Sequence, residues 1–235
     1  MMKQGFYKLT GVVLRRRETS EGDIRLYILF RKHGPLWVIA PGAARGRRRF
    51  GGGTEPLIWG YFCCYQSPKQ LYLREIEVKE DLWEIRKDPG KLERAMNWAR
   101  LLVEHLLPGY PCDEVLSVFY DSLYLLDKGL DGSLLEWRFL YRWMKNWGVA
   151  PDIWHCSSCG EKLEEAYWQG DVLICKKCCL NGGKAIARAE LSELVCAAAL
   201  SRKDLIKWAQ NKSSKANYVD YNGKLKDILK RSFLN

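Results

Sequence analysis

From residue 23 the chain reads DIRLYILFR, with Ile24, Leu26, Ile28 and Phe30 alternating against Arg25, Tyr27 and Arg31. This period of two is that of a half-buried strand. GVVLRRR (11–17) precedes it across the turn-like ETSEGD, and LWVIA (36–40) follows the turn HGP. Further on come LIWGYFCCY (57–65) and, past a break at Ser67-Pro68, QLYLREIEVK (70–79). Five short strands within the first eighty residues match a small barrel such as the OB fold, a count that SH3-like barrels share.

The period then lengthens. Leu92, Ala95, Met96, Ala99, Leu102, Val103 and Leu106 recur at helical spacing, opposite Glu93, Arg94, Asn97, Arg100 and Glu104. PGYP (108–111) ends that helix, and two more are predicted over about 113–127 and 133–147. In the last of these Trp137, Leu140, Met144 and Trp147 form one face, and Arg138, Arg142 and Lys145 another. The tail holds three helical candidates, ARAELSELVCAAALS, KDLIKWAQ and GKLKDILKRSFL. No internal repeat or low-complexity linker separates these parts.

A cysteine module interrupts the helices. CSSCG supplies Cys156 and Cys159, and CKKCC supplies Cys175 and Cys178, with fifteen residues between the pairs. Each knuckle aims two thiolates at one ion, and two knuckles complete a tetrahedron around Zn²⁺. The hairpin-like EEAYWQGDVLI between them suits a zinc ribbon. A full shell leaves no open position, so one structural zinc is expected. Cys179 is an alternative to Cys178, and His155 borders the first knuckle. The predicted organisation is α+β and multidomain: a five-stranded OB-fold barrel at 1–80, a helical domain at 81–152 resuming at 183–235, and an inserted four-cysteine zinc-ribbon-like module at 153–182.

Charge adds a direction. Of the 235 residues, the first 53 carry twelve Lys/Arg against three acids, nearly the whole net charge of +10. A field concentrated in this way attracts a polyanion. The candidate DNA contacts are Arg15, Arg16, Arg17, Arg31, Lys32, Arg45, Arg47, Arg48 and Arg49, the last four within APGAARGRRRFGGG (40–53). That stretch lacks Gly-Lys-Ser/Thr and runs into Pro56, so it is no phosphate loop. A GxSxG elbow is absent, and His33, His105 and His155 form no metalloprotease pattern. A protein that is not an enzyme is expected. With no leader and no apolar run long enough for a membrane span, a cytoplasmic, nucleoid-associated location is expected. Tyr27, Trp37, Trp59 and Tyr61 are read first as barrel core and second as base-stacking groups.

The segment from Gly11 to Leu57 resembles the opening of the bacterial RecO family of recombination mediators: a Val-Leu strand, a Gly/Glu-Asp turn, an alternating strand, a Gly turn and a Gly-Ala-basic loop. WRFLYRWMKNWGVAPDIWHCSSCG is similar to its helix entering a zinc module, and GKLKDILKRSFL to its closing helix. RRRFGGG and the abundance of Arg and Trp depart from the pattern. The resemblance implies binding of single- and double-stranded DNA, annealing of complementary strands, and help in loading recombinase onto DNA coated by single-stranded-DNA-binding protein. It implies two protein partners, a RecR-type mediator and the acidic C-terminal tail of the coating protein. By position Arg138 matches a family residue in the tail contact, with Tyr141 and Arg142 as its extension. The alternatives are a zinc-ribbon nucleic-acid-processing enzyme and an RNA-binding accessory factor.

Overall fold

A computed structural model describes residues 2–44, 50–180, 182–211 and 216–232, which gather into two compact units, Met1–Ser117 and Val118–Asn235. The first is built on five strands: β1 (Gly5–Glu18), β2 (Ile24–Phe30), β3 (Gly34–Ala40), β4 (Trp59–Gln66) and β5 (Leu71–Glu80). They close in the order β1-β2-β3-β5-β4, with β3 and β5 parallel and every other pairing antiparallel. This five-stranded Greek-key closure is OB-like and settles the choice between barrel types.

Strand β1 is twice the length expected because it serves both edges of the barrel. Gly5–Val12 pair with β4, while Gly11–Glu18 pair with β2. At the handover sits Gly11, where a Cβ would press on the Leu29 carbonyl oxygen and the Phe30 ring. A register shift between Val13 and Arg15 follows, where Val13 exchanges backbone bonds with Leu57 and Ile58 outside the ladder. Leu9, Val13, Leu26, Ile28, Phe30, Val38, Phe62, Cys64 and Leu73 fill the interior. Cys64 is core, and burial followed by the neighbouring Cys63 pushes its thiol up to about 12. Of the four aromatics considered, Tyr27 and Trp59 are buried, and Trp37 and Tyr61 are half-buried.

Two helices join this unit, a short α1 (Trp83–Arg86) and α2 (Pro89–His105). Asp88 caps α2 by accepting from Gly90 N and Lys91 N, with Pro89 in the first turn. The helix lays Ala95, Trp98, Ala99 and Leu102 inward and packs on β1. Gly34 holds the β2–β3 turn at φ +69°, and a Cβ there would collide with the Tyr110 carbonyl, while Gly109 N donates to Pro35 O. Gly34→Ala therefore faces both a left-handed backbone and a backbone clash. A destabilisation of about 2–4 kcal/mol is expected in denaturant unfolding, and a midpoint within experimental error of the parent would refute the clash.

Helix α3 (Asp113–Asp127) carries the boundary between the units. The second unit contains α4 (Gly132–Asn146), β6 (Ala166–Gln169), β7 (Val172–Ile174), β8 (Lys184–Ile186), α5 (Arg188–Ala199), α6 (Arg202–Gln210) and α7 (Tyr218–Ser232). Helix α4 is central, packing on α5 and α7, and its residues Leu134–Tyr141, Trp143 and Met144 are all buried. Trp137, Leu140 and Met144 of the apolar face are buried as expected, and of the basic face Arg138 is buried, Arg142 half-buried and Lys145 exposed. Arginine stems are long enough to lie in a core while their heads reach carbonyl oxygens. Trp137 donates from Nε1 to Leu194 O (3.0 Å) and lies near Tyr221, which stacks on Trp168 of β6 at 6.1 Å. Tryptophans thus tie the cysteine module to the helices.

Candidate metal centre and nucleic-acid surface

The cysteine module folds around its own short sheet, in the order β7-β6-β8, with the β6–β7 hairpin turning at Gly170 (φ +59°) and Asp171. Two knuckles meet beside it. In the first, Gly160 (φ +74°) lets its N–H return to Cys156 O while Cys156 N donates to Glu161 O. In the second, Cys178 N and Cys179 N both turn back to Cys175 O. The sulfurs of Cys156, Cys159, Cys175 and Cys178 all lie within 4.8 Å of one another, and Cys159 and Cys175 approach to 3.8 Å. A tetrahedral ion with metal–sulfur bonds of about 2.3 Å needs sulfurs roughly 3.8 Å apart, so the four residues fit the group. They are free thiols, with no disulfide among them. Burial raises the Cys156 thiol, but amides of Cys159, Cys175 and Ser158 outweigh it and bring the thiol down to about 6. The cluster does not include Cys179, and His155 turns instead to Asp152, which accepts from its backbone N–H and lies 3.3 Å from Nδ1. The arrangement fits a zinc module that holds chain segments together.

The basic side chains of the barrel divide into two groups. Arg17 pairs with Arg25 and Arg15 with Tyr27, at the end where β2 begins and β3 finishes. The β3–β4 connection leaves from this same end, tied down by Gly42 N to Asp23 Oδ1 (2.7 Å) and Ala44 N to Gly22 O (3.1 Å). Arg15, Arg17 and Arg25 are exposed there, Arg25 lying 5.2 Å over the Trp37 ring. Arg16 is half-buried and engaged by Glu18 (2.9 Å) and Glu55 (3.6 Å). Arg31 and Lys32 sit at the opposite end of β2, where Arg31 N donates to Thr10 O and Lys32 N to Asp113 Oδ1. Arg45, Arg47, Arg48 and Arg49 lie outside the described residues.

In the second unit Arg138 is only 1% exposed. Its Nη1 donates to Ala197 O (2.7 Å), whereas Nε and Nη2 have no hydrogen-bond partner among the described residues. Arg142 donates to Ala198 O, Ala199 O and Leu200 O, so the two arginines serve the free carbonyls at the end of α5. Tyr141 is enclosed, donating to Pro151 O and stacked on Trp137. Two residues that the sequence reading missed complete the cluster: Arg202, which pairs with Asp121 and lies over Tyr124 at 4.7 Å, and Asp121 itself. Both come from helices distant in sequence, so no local pattern marks them. Burial, then Arg142, lowers the Arg138 guanidinium to about 10. Three cations face one carboxylate.

A closed OB-like barrel with an exposed basic end, a helical unit and a four-cysteine module fitting zinc define a multidomain α+β class. The N-terminal family pattern described as Recombination protein O N terminal matches residues 2–80, and Recombination protein O C terminal matches 86–221. The chain belongs to the RecO family. Among its relatives, the DNA repair protein RecO of Desulforamulus reducens is 29% identical over 88% of this chain and 82% of its own length. That of Acetivibrio thermocellus is 25% identical over 79% and 75% respectively. No described helix is long and apolar enough to cross a membrane.

Proposed function

We propose that this chain is a DNA-binding recombination mediator. It binds single- and double-stranded DNA, anneals complementary strands, and helps load recombinase onto DNA coated by single-stranded-DNA-binding protein. The observation that carries this reading is the exposed basic end of the barrel, where Arg15, Arg17 and Arg25 stand beside the root of the arginine-rich β3–β4 connection. Arginines there contact phosphates and release counterions, so binding is salt-dependent and nearly sequence-independent. Two neutralised strands held at one surface can pair without any covalent step, so the chain works as a mediator rather than an enzyme. Arg31 and Lys32 offer a second phosphate contact at the other end.

The protein partners follow the same electrostatics. Arg138, Arg142 and Arg202 around the single carboxylate of Asp121 favour an incoming anion, here the acidic C-terminal tail of the coating protein, with Tyr141 bracing α4 behind them. A RecR-type mediator is the second partner. One zinc ion in the four-cysteine cluster is structural, and the work is done at the nucleoid in the cytoplasm.

The test is annealing of complementary strands coated with the cognate single-stranded-DNA-binding protein, run beside salt titrations of DNA binding. Replacing Arg45, Arg47, Arg48 and Arg49 by alanine is expected to slow annealing. It should also reduce the slope of log affinity against log salt by up to roughly 3, at about 0.7–0.9 per lost phosphate contact. An unchanged slope would remove the loop from the DNA surface, and covalent change in the strands would replace the mediator with an enzyme.

A further inference from the structure

The register of the barrel places three aromatic side chains in one rung. Phe6 of β1 pairs with Tyr65 of β4, and Tyr65 pairs with Tyr72 of β5. All three belong to the outward parity, since the neighbouring Leu71 and Leu73 of β5 and Cys64 of β4 fill the core. Phe6 is 77% exposed, which is costly for a phenylalanine with nothing to cover it. The rings are fixed by their edges. Gln4 Nε2 donates to Tyr65 Oη (2.9 Å), Tyr72 Oη donates to Gln70 Oε1 (3.3 Å), and the Phe6 and Tyr65 centroids stand 5.0 Å apart. Arg74 lies 5.7 Å over the Tyr65 ring.

The same rung continues around the barrel. Tyr72 pairs with Ile39, Ile39 with Arg25, and Arg25 with Arg17. A single girdle thus runs Phe6, Tyr65, Tyr72, Ile39, Arg25, Arg17, aromatic at one side and cationic at the other. It starts and ends on β1, so its five strand spacings of about 4.8 Å carry it once around the closed barrel, a path of roughly 24 Å. We infer that this girdle is a stacking track for single-stranded nucleic acid: unpaired bases lie on Phe6, Tyr65 and Tyr72 while phosphates meet Arg74, Arg25 and Arg17. Rings supply sequence-tolerant π faces and arginines hold the backbone, the combination a single strand requires. A duplex keeps its base faces buried and cannot use the rings, so the track favours unpaired strands. The inference rests on the proposed DNA binding and adds to it the residues that read bases.

The experiment compares an oligothymidylate with an abasic strand of the same length and charge, by fluorescence anisotropy with the full chain. The parent is expected to prefer thymidine by about tenfold or more, the scale of stacking per base. Phe6→Leu/Tyr65→Leu/Tyr72→Leu keeps apolar area and charge, and it should abolish that preference while leaving abasic binding and its salt slope unchanged. Phe6→Leu alone, at the most exposed ring, should reduce the preference about threefold or more and serves where the triple variant fails to fold. A variant that keeps the parent's preference, or a parent without one, overturns the track and leaves the salt-dependent DNA binding standing. A variant that changes only from oligomer to monomer in sedimentation overturns it in favour of a second copy of the chain. A parent that binds neither strand overturns both readings.

Discussion

Replacing Cys156 by serine should release the metal and unfold the cysteine module while the barrel stays intact. Ile153, Leu163, Ala166, Trp168, Leu173 and Ile174 are the module's main buried apolar groups, a core too small to hold its hairpin and two knuckles unaided. An ion shared by the four sulfurs would fix both knuckles, and its binding energy would then be the module's folding energy. Cys156 is the most enclosed of the four ligands, and its sulfur also accepts from Cys175 N at 3.3 Å, linking the knuckles directly. The parent should carry about one zinc equivalent per chain. The serine variant should lose it, fall in stability by about 3 kcal/mol or more, and become sensitive to proteolysis between the knuckles. Because Trp168 stacks on Tyr221, and Tyr221 borders Trp137, part of the loss should reach α7 and α4 as altered tryptophan fluorescence. A metal-free parent with the same melting curve and protease resistance would show that the knuckles fold without an ion.

What could be read ahead follows from how local each signal is. Knuckles are local, and two of them at ribbon spacing identified the four sulfurs that the structure gathers. The alternation of β2 and the periodicity of α2 are local as well, and both elements formed where expected. The first half of β1 was missed because Phe6 points outward, giving a polar parity an aromatic residue and blurring the alternation. Strand β8 has three residues and exists only because β6 accepts it. Helix α4 is legible only in part. Its arginines mimic a wet face, yet they are drawn inward by carbonyls of α5 some sixty residues away. The aromatic girdle is invisible in one dimension, since it is a property of register between strands, and register is decided by closure of the barrel.

Arg138→Met should leave the fold standing and weaken binding of an acidic C-terminal peptide by roughly ten- to a hundredfold. The side chain is buried, and its lowered guanidinium pKa means that the folded chain holds that proton less tightly than the unfolded chain. The charged form therefore costs stability at neutral pH, a cost that fades only as pH rises through about 10. Its single bond to Ala197 O offsets part of this, while Nε and Nη2 stay without partners among the described residues. An apolar side chain of similar volume removes the desolvation penalty and gives up one carbonyl bond, so a net change within about 1–2 kcal/mol is expected. Arg142 continues to hold Ala198 O and Leu200 O, keeping the end of α5 in place. The peptide is another matter, because a carboxylate reaching Arg138 would take up Nε and Nη2, which are buried and have no partner among the described residues, and would meet the charge surplus around Asp121. Losing a charge-assisted contact of about 1.5–3 kcal/mol weakens the peptide by roughly ten- to a hundredfold, measurable by anisotropy. Arg138→Lys keeps the charge without the planar fork and should fall between the two. If the methionine variant binds the peptide as the parent does, the arginines of α4 are only caps for α5, and the acidic tail must dock elsewhere.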